Sequence, residues 1–127
     1  MSGEAIVRRA RALIGVRFRP QGRSQESGLD CIGLASAALA REGARRDYRL
    51  RGGSLSELER ELRAAGLRPA ALAEAGDVVT MRPGPEQLHL GIWTGSGIVH
   101  ADAGLGRIVE RPGPPPWPVI GIWRKEE

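Results

Sequence analysis

The stretch Asp30-Cys31-Ile32-Gly33-Leu34-Ala35-Ser36-Ala37-Ala38-Leu39-Ala40 is apolar on almost every side, and a helix of that kind is buried by its neighbours. Asp30 is a good N-cap residue, and Gly28 frees the chain to turn just before it. Residues 30–40 are therefore predicted as a buried helix with Cys31 at its first position. The first N–H groups of a helix have no intrahelical partner, and the dipole is positive there. That setting predicts a lowered thiol pKa and backbone donors able to stabilise an oxyanion. It would hold a sulfur rigid yet open to a cleft, as a nucleophile must be held. The same cysteine also reads as a small, inert, buried hydrophobe.

Working outward, residues 4–14 read as a helix with Ile6, Ala10, Leu13 and Ile14 on one face and Gly15 as its stop. Residues 15–29 form a loop rich in Gly, Pro and polar groups, and 43–53 an Arg- and Gly-rich connection. Ser54 and Glu57 make a capping-box pattern ahead of Leu55, Leu58 and Leu62, with a stop at Gly66. The Ala-rich stretch 70–75 is expected to add a helical turn. Short strands are expected at 78–81, 88–94, 97–101, 107–110 and 119–123. The proline-rich segment 112–118 reads as a rigid loop. Helices first and strands second is the α+β pattern. Residues 1–127 are read as one domain, with N-terminal helices packed on an antiparallel sheet of about five short strands.

The chain has 127 residues, 41% of them apolar, with a net charge of +4 and a pI near 10.5. That balance suits anionic surroundings. The arginines are scattered and few aromatics interleave with them, which favours a solvated basic surface and no nucleic-acid partner. No apolar run approaches the ~20 residues of a membrane span. The N-terminal segment is broken by Arg8, Arg9 and Arg11 and reads as lacking a secretory signal. A lone cysteine excludes an intrachain disulfide and any multi-cysteine zinc site.

Both histidines lie in the strand half, in a stretch that reads as a β-hairpin turning at Gly95-Ser96. Leu88, Leu90 and Ile92 fill one face, so His89 points to the other. With an even loop, Thr94 pairs with Gly97 and His100 faces Gly91, whose missing side chain leaves room for a ring. His89 and His100 are then diagonal neighbours on one face, within reach of each other. His89 could take the Cys31 proton and return it to a leaving amine, while His100 fixes its tautomer. Two core histidines satisfied by backbone, or a zinc site from Cys31, His89, His100 and Asp102, are the competing readings.

The segments Gly28-Leu29-Asp30-Cys31-Ile32-Gly33-Leu34, Gly76-Asp77-Val78-Val79, His89-Leu90-Gly91-Ile92-Trp93 and Ile98-Val99-His100-Ala101 resemble, in that order, the NlpC family of cell-wall cysteine peptidases. The resemblance implies a papain-like fold and cleavage of peptidoglycan stem peptides near D-amino acids, with no metal and no cofactor. It places catalysis on Cys31 and His89, with His100 as third polar residue and Asp30 and Phe18 near the oxyanion. Residues 15–23 and 117–124 look like the phage-tail and gene-transfer-agent branch. That branch implies phage-like tail proteins as partners, and action at the cell wall within a virion-like particle after synthesis in the cytoplasm. Family members often carry tyrosine where this chain has Phe18, and serine where it has Ile32.

Overall fold

A computed structural model describes residues 2–41 and 54–126; the expected connection 43–53 lies outside the described residues. Helix α1 (Gly3–Ala12) is capped by the Ser2 side chain. A two-strand ladder, β1 (Arg23–Ser24) and β2 (Gly28–Leu29), leads into α2 (Cys31–Ala38). Helix α3 (Leu55–Ala64) begins at the Ser54 cap, whose side chain accepts from the Glu57 N–H, and it ends before Gly66 in a left-handed conformation. Strands β3 (Leu67–Pro69), β4 (Val78–Met81), β5 (His89–Trp93), β6 (Gly97–Asp102), β7 (Arg107–Pro112) and β8 (Val119–Lys125) form one antiparallel sheet, ordered β3-β8-β4-β5-β6-β7.

The expected α+β order holds, but part of the expected loop 15–29 forms the β1–β2 ladder, because Arg23 and Ser24 find backbone partners in Leu29 and Gly28, and three further departures follow. The sheet has a sixth strand, β3, at its edge. Three residues ending in proline carry almost no local strand signal, and only pairing with β8 makes them a strand. Residues 70–75 form no helical turn: the Glu74 N–H donates to Asp77 and Leu72 is exposed. Ile14 is also exposed, because α1 ends at Ala12 and the chain has already left the helical path; Val7 takes the buried place instead.

Helix α2 packs against α1 and β5. Its small residues Gly33, Ala35 and Ala38 are buried with Leu34 and Cys31, so neighbouring backbone comes close. The main core joins these to Ile6, Ala10, Leu58, Leu62, Val78, Leu90 and Ile92. The far face of the sheet carries a smaller cluster of Val79, Met81 and Ile98, against which Trp93 and Trp117 pack. In β8 one extra residue is inserted opposite β4: Gly121 pairs with Thr80 but Val119 pairs with Met81, a β-bulge.

Gly33 decides how close α2 sits to the loop before it. A Cβ there would lie 2.2 Å from the Gly22 carbonyl oxygen. Helix propensity alone favours alanine at this site by up to ~1 kcal/mol. Gly33→Ala is nevertheless expected to destabilise the fold by about 2 kcal/mol through overpacking against fixed backbone. Urea unfolding checks the sign.

Candidate active site

The N-terminus of α2 is built around Asp30. One carboxylate oxygen accepts from the Gly33 N–H (2.8 Å) and from Arg23 Nη1 (2.7 Å); the other accepts from the Gln21 N–H (3.0 Å). Both Asp30 and Arg23 side chains are nearly buried in this ion pair. Asp30 therefore has its acceptors occupied, and a carboxylate has no donor to offer an oxyanion. The structure makes it the anchor of the helix start rather than an oxyanion group.

Cys31 follows at the first helical position and is buried in the core cluster that also holds Leu90. Strands β5 and β6 are registered only at Ile92↔Val99 and Trp93↔Ile98, so their ladder is short at the end that carries the histidines. The turn is even, the condition on which a shared face for the two histidines depended: the Thr94 N–H donates to Gly97 O, and Trp93 pairs with Ile98. The two imidazoles meet. His89 Nε2 lies 3.0 Å from His100 Nδ1, with the rings edge to face. The expected space over Gly91 is not where the His100 ring sits. Ile98 fills it, with Cγ1 at 2.7 Å from where a Cβ would be.

Cys31, His89 and His100 line one cleft of about 760 Å³, together with Phe18, Asp30 and Gln21. Phe18 is half-buried, tied to the fold by its N–H to Gly106 O and by a bridge to Leu29, and brings no polar group. Among the described residues, no three His, Cys, Asp or Glu side chains converge in a way that would hold a metal ion. None of the described helices is long and apolar enough to cross a membrane.

Sequence reading missed Trp117. Its ring stands edge to face against both His89 (5.2 Å) and His100 (5.6 Å). The Arg82 N–H holds Pro118 O at 2.9 Å, which seats the proline-rich segment over the histidines. An aromatic residue between prolines just before a strand was the available signal.

The electrostatics correct another expectation. The thiol of Cys31 is not acidified but pushed up to about 12. Burial is the larger cause and the Asp30 charge the next; backbone hydrogen bonding opposes them. The cap that satisfies the helix start also sets a negative charge against its positive end. His89 is pushed down to about 4, by burial first and then by His100, with Asp102 opposing. His100 is lowered too, by burial above all. Thiol and both imidazoles are thus neutral together near pH 7.

No family model matches the chain, and no curated protein does. Solved structures match closely in shape: the fold is that of NlpC/p60 domains. NlpC1 from Trichomonas vaginalis superposes with a TM-score of 0.65 at 19% identity, over 97% of this chain and 45% of that one. The NlpC/p60 domain of the peptidoglycan hydrolase SagA gives 0.61 at 24% identity, over 88% and 90%. The peptidoglycan hydrolase RipB from Mycobacterium tuberculosis gives 0.62 at 26%, over 98% and 65%. The chain thus spans less than half of the first of these proteins and about two thirds of the third.

Two outcomes follow from the titrations. An unfolded histidine protonates near pH 6.5, whereas folded His89 stays neutral until about 4. Between those values the unfolded chain binds the extra proton, so this part of the stability is present above pH 6.5 and is lost as pH falls towards 4. Urea midpoints of wild type should drop across that window, and His89→Gln should flatten the drop. Alkylation of Cys31 by iodoacetamide should climb roughly tenfold per pH unit from about pH 7 to about pH 10 without a plateau. A plateau near neutrality would mean an acidified thiol.

Proposed function

We propose that this chain is a peptidoglycan-cleaving cysteine peptidase, with Cys31 as nucleophile, His89 as general base and acid, and His100 as the group that orients His89. The observation carrying this reading is the convergence of those three side chains at one cleft, with the two imidazoles 3.0 Å apart. The likeness to peptidoglycan hydrolase domains supports the choice of substrate.

His89 Nε2 is engaged by His100 Nδ1, which leaves His89 Nδ1 for the thiol. In the base-competent tautomer, His89 Nε2–H donates to His100. As Cys31 Sγ bonds to the stem-peptide carbonyl carbon, its proton passes to His89 Nδ1. The C–N bond then breaks, and the amine leaves with that proton. Water, deprotonated by His89, hydrolyses the thioester and restores the thiol. Because thiol and imidazole begin neutral, sulfur attack and proton transfer are coupled rather than preceded by a standing ion pair. The hydrogen bond to His100 stabilises the imidazolium that forms. The setting proposed for this activity is a phage-like tail or gene transfer agent particle, supported by the sequence resemblance of residues 15–23 and 117–124.

A second reading is a tail-assembly protein that keeps the fold without needing catalysis. The high thiol pKa and the apolar Phe18 in the cleft favour it. An amidase or acyltransferase on another amide would use the same three residues.

Purified protein is expected to release fragments from peptidoglycan stem peptides and to leave simple amides intact. Cys31→Ala should abolish this, and His100→Ala should lower kcat by about tenfold or more. Turnover that is absent, or that survives Cys31→Ala, overturns the peptidase reading. Preference for simple amides supports the amidase.

A further inference from the structure

Residues 19–22 make a tight turn, closed by the Gly22 N–H to the Arg19 carbonyl at 2.9 Å. Pro20 holds its second position, and Gln21, at φ +59°, its third. This is the type II pattern, whose third position calls for glycine or asparagine. Glutamine is strained there, although a glycine stands one residue later.

The turn is clamped to the start of α2. Gln21 N–H donates to Asp30 (3.0 Å), and Asp30 N–H donates to Gly22 O (3.3 Å). Gly22 O also lies against Gly33, so closely that no side chain fits between. The backbone of Gln21 is therefore fixed relative to Cys31, one residue from its anchor, and the residue itself is exposed. Its side chain lines the same cleft and makes no hydrogen bond to the described residues.

Addition of Cys31 to a carbonyl puts negative charge on oxygen, which needs preorganised donors. The Cys31 N–H, at the first helical position, has no intrahelical acceptor. The Gly33 N–H is used by Asp30, and Phe18 offers no donor. Neutral side-chain amide or indole donors lining the cleft are Gln21, Gln87 and Trp117. Trp117 packs on the histidines, and Gln87 belongs to the loop ahead of β5, its N–H bonded to Gly84 O. Gln21 alone of the three is joined to the helix that carries Cys31.

We propose that the Gln21 carboxamide N–H is the second donor to the oxyanion, an inference that rests on the peptidase reading above. The step balances: the Sγ–C bond forms, the carbonyl π pair moves to oxygen under the Cys31 and Gln21 donors, and the thiol proton goes to His89. When the π bond re-forms, the C–N bond breaks and the amine takes the proton from His89.

The test compares wild type with Gln21→Gly, Gln21→Ala and Gln21→Glu on stem peptides. Loss of one such donor should lower kcat by about 10²–10³-fold, with KM held within about twofold. Gln21→Gly relieves the strained φ, so its Tm should hold or rise while its kcat falls. Iodoacetamide alkylation of Cys31 forms no oxyanion and should keep its wild-type rate in the two neutral variants, Gln21→Gly and Gln21→Ala. The proposal is overturned if Gln21→Gly keeps kcat within about threefold of wild type. It is equally overturned if that variant loses Tm and kcat together, since that marks a purely structural residue. Cys31-dependent turnover that ignores Gln21 removes only this inference; a wild type without Cys31-dependent turnover removes both it and the peptidase reading.

Discussion

The buried carboxylate of Asp30 accepts from the Gly33 and Gln21 N–H groups and pairs with Arg23. A carboxylate is tolerated in that position only because its acceptors are filled. Each partner belongs to a different piece of the site: Gly33 to the helix, Gln21 to the tight turn, Arg23 to the short ladder. Neutralising the charge would release all three at once. Cys31, next in sequence, takes its position from this assembly, and the glycines at 22 and 33 let the pieces touch without side chains between them.

The arrangement has an electrostatic cost that shapes the chemistry. The charge that caps α2 stands beside the sulfur, and burial adds to it, so the thiol resists ionisation. The histidines resist protonation for the matching reason: Trp117 and each other surround them. A resting site of neutral groups puts the burden on stabilising charge as it develops. Donors aimed at the oxyanion and the His89–His100 hydrogen bond then matter more than a pre-formed thiolate. It also makes the free thiol a poor target for adventitious oxidants, since these react with the thiolate.

What was legible in the sequence was local. The α2 cap, the Ser54 cap and the glycine stop at Gly66 are short-range signals, and each appears where expected. The His89–His100 contact was legible as well, because an even turn at Gly95-Ser96 fixes the parity of every later residue in the hairpin. The misses depend on groups far apart in sequence. Strand β3 exists through β8, about 55 residues away. Trp117 reaches the histidines through the anchor at Arg82. The thiol pKa depends on burial by the whole core, which no local pattern around Cys31 reports.

The bulge in β8 has a consequence for what lengths of chain the fold accepts. Residues paired across a ladder share a face, and side chains alternate from one residue to the next. With one extra residue between Gly121 and Val119, Trp117 falls on the face of Met81 and Ile98, beneath the histidines. Without it, the alternation ahead of the strand would be out of phase by one, and the indole would start on the helix-covered side. Length variation in the proline-rich segment before Trp117 can be taken up in its bends. A one-residue deletion at Ile120 cannot, so the site is sensitive to counting at a position that does not line the cleft.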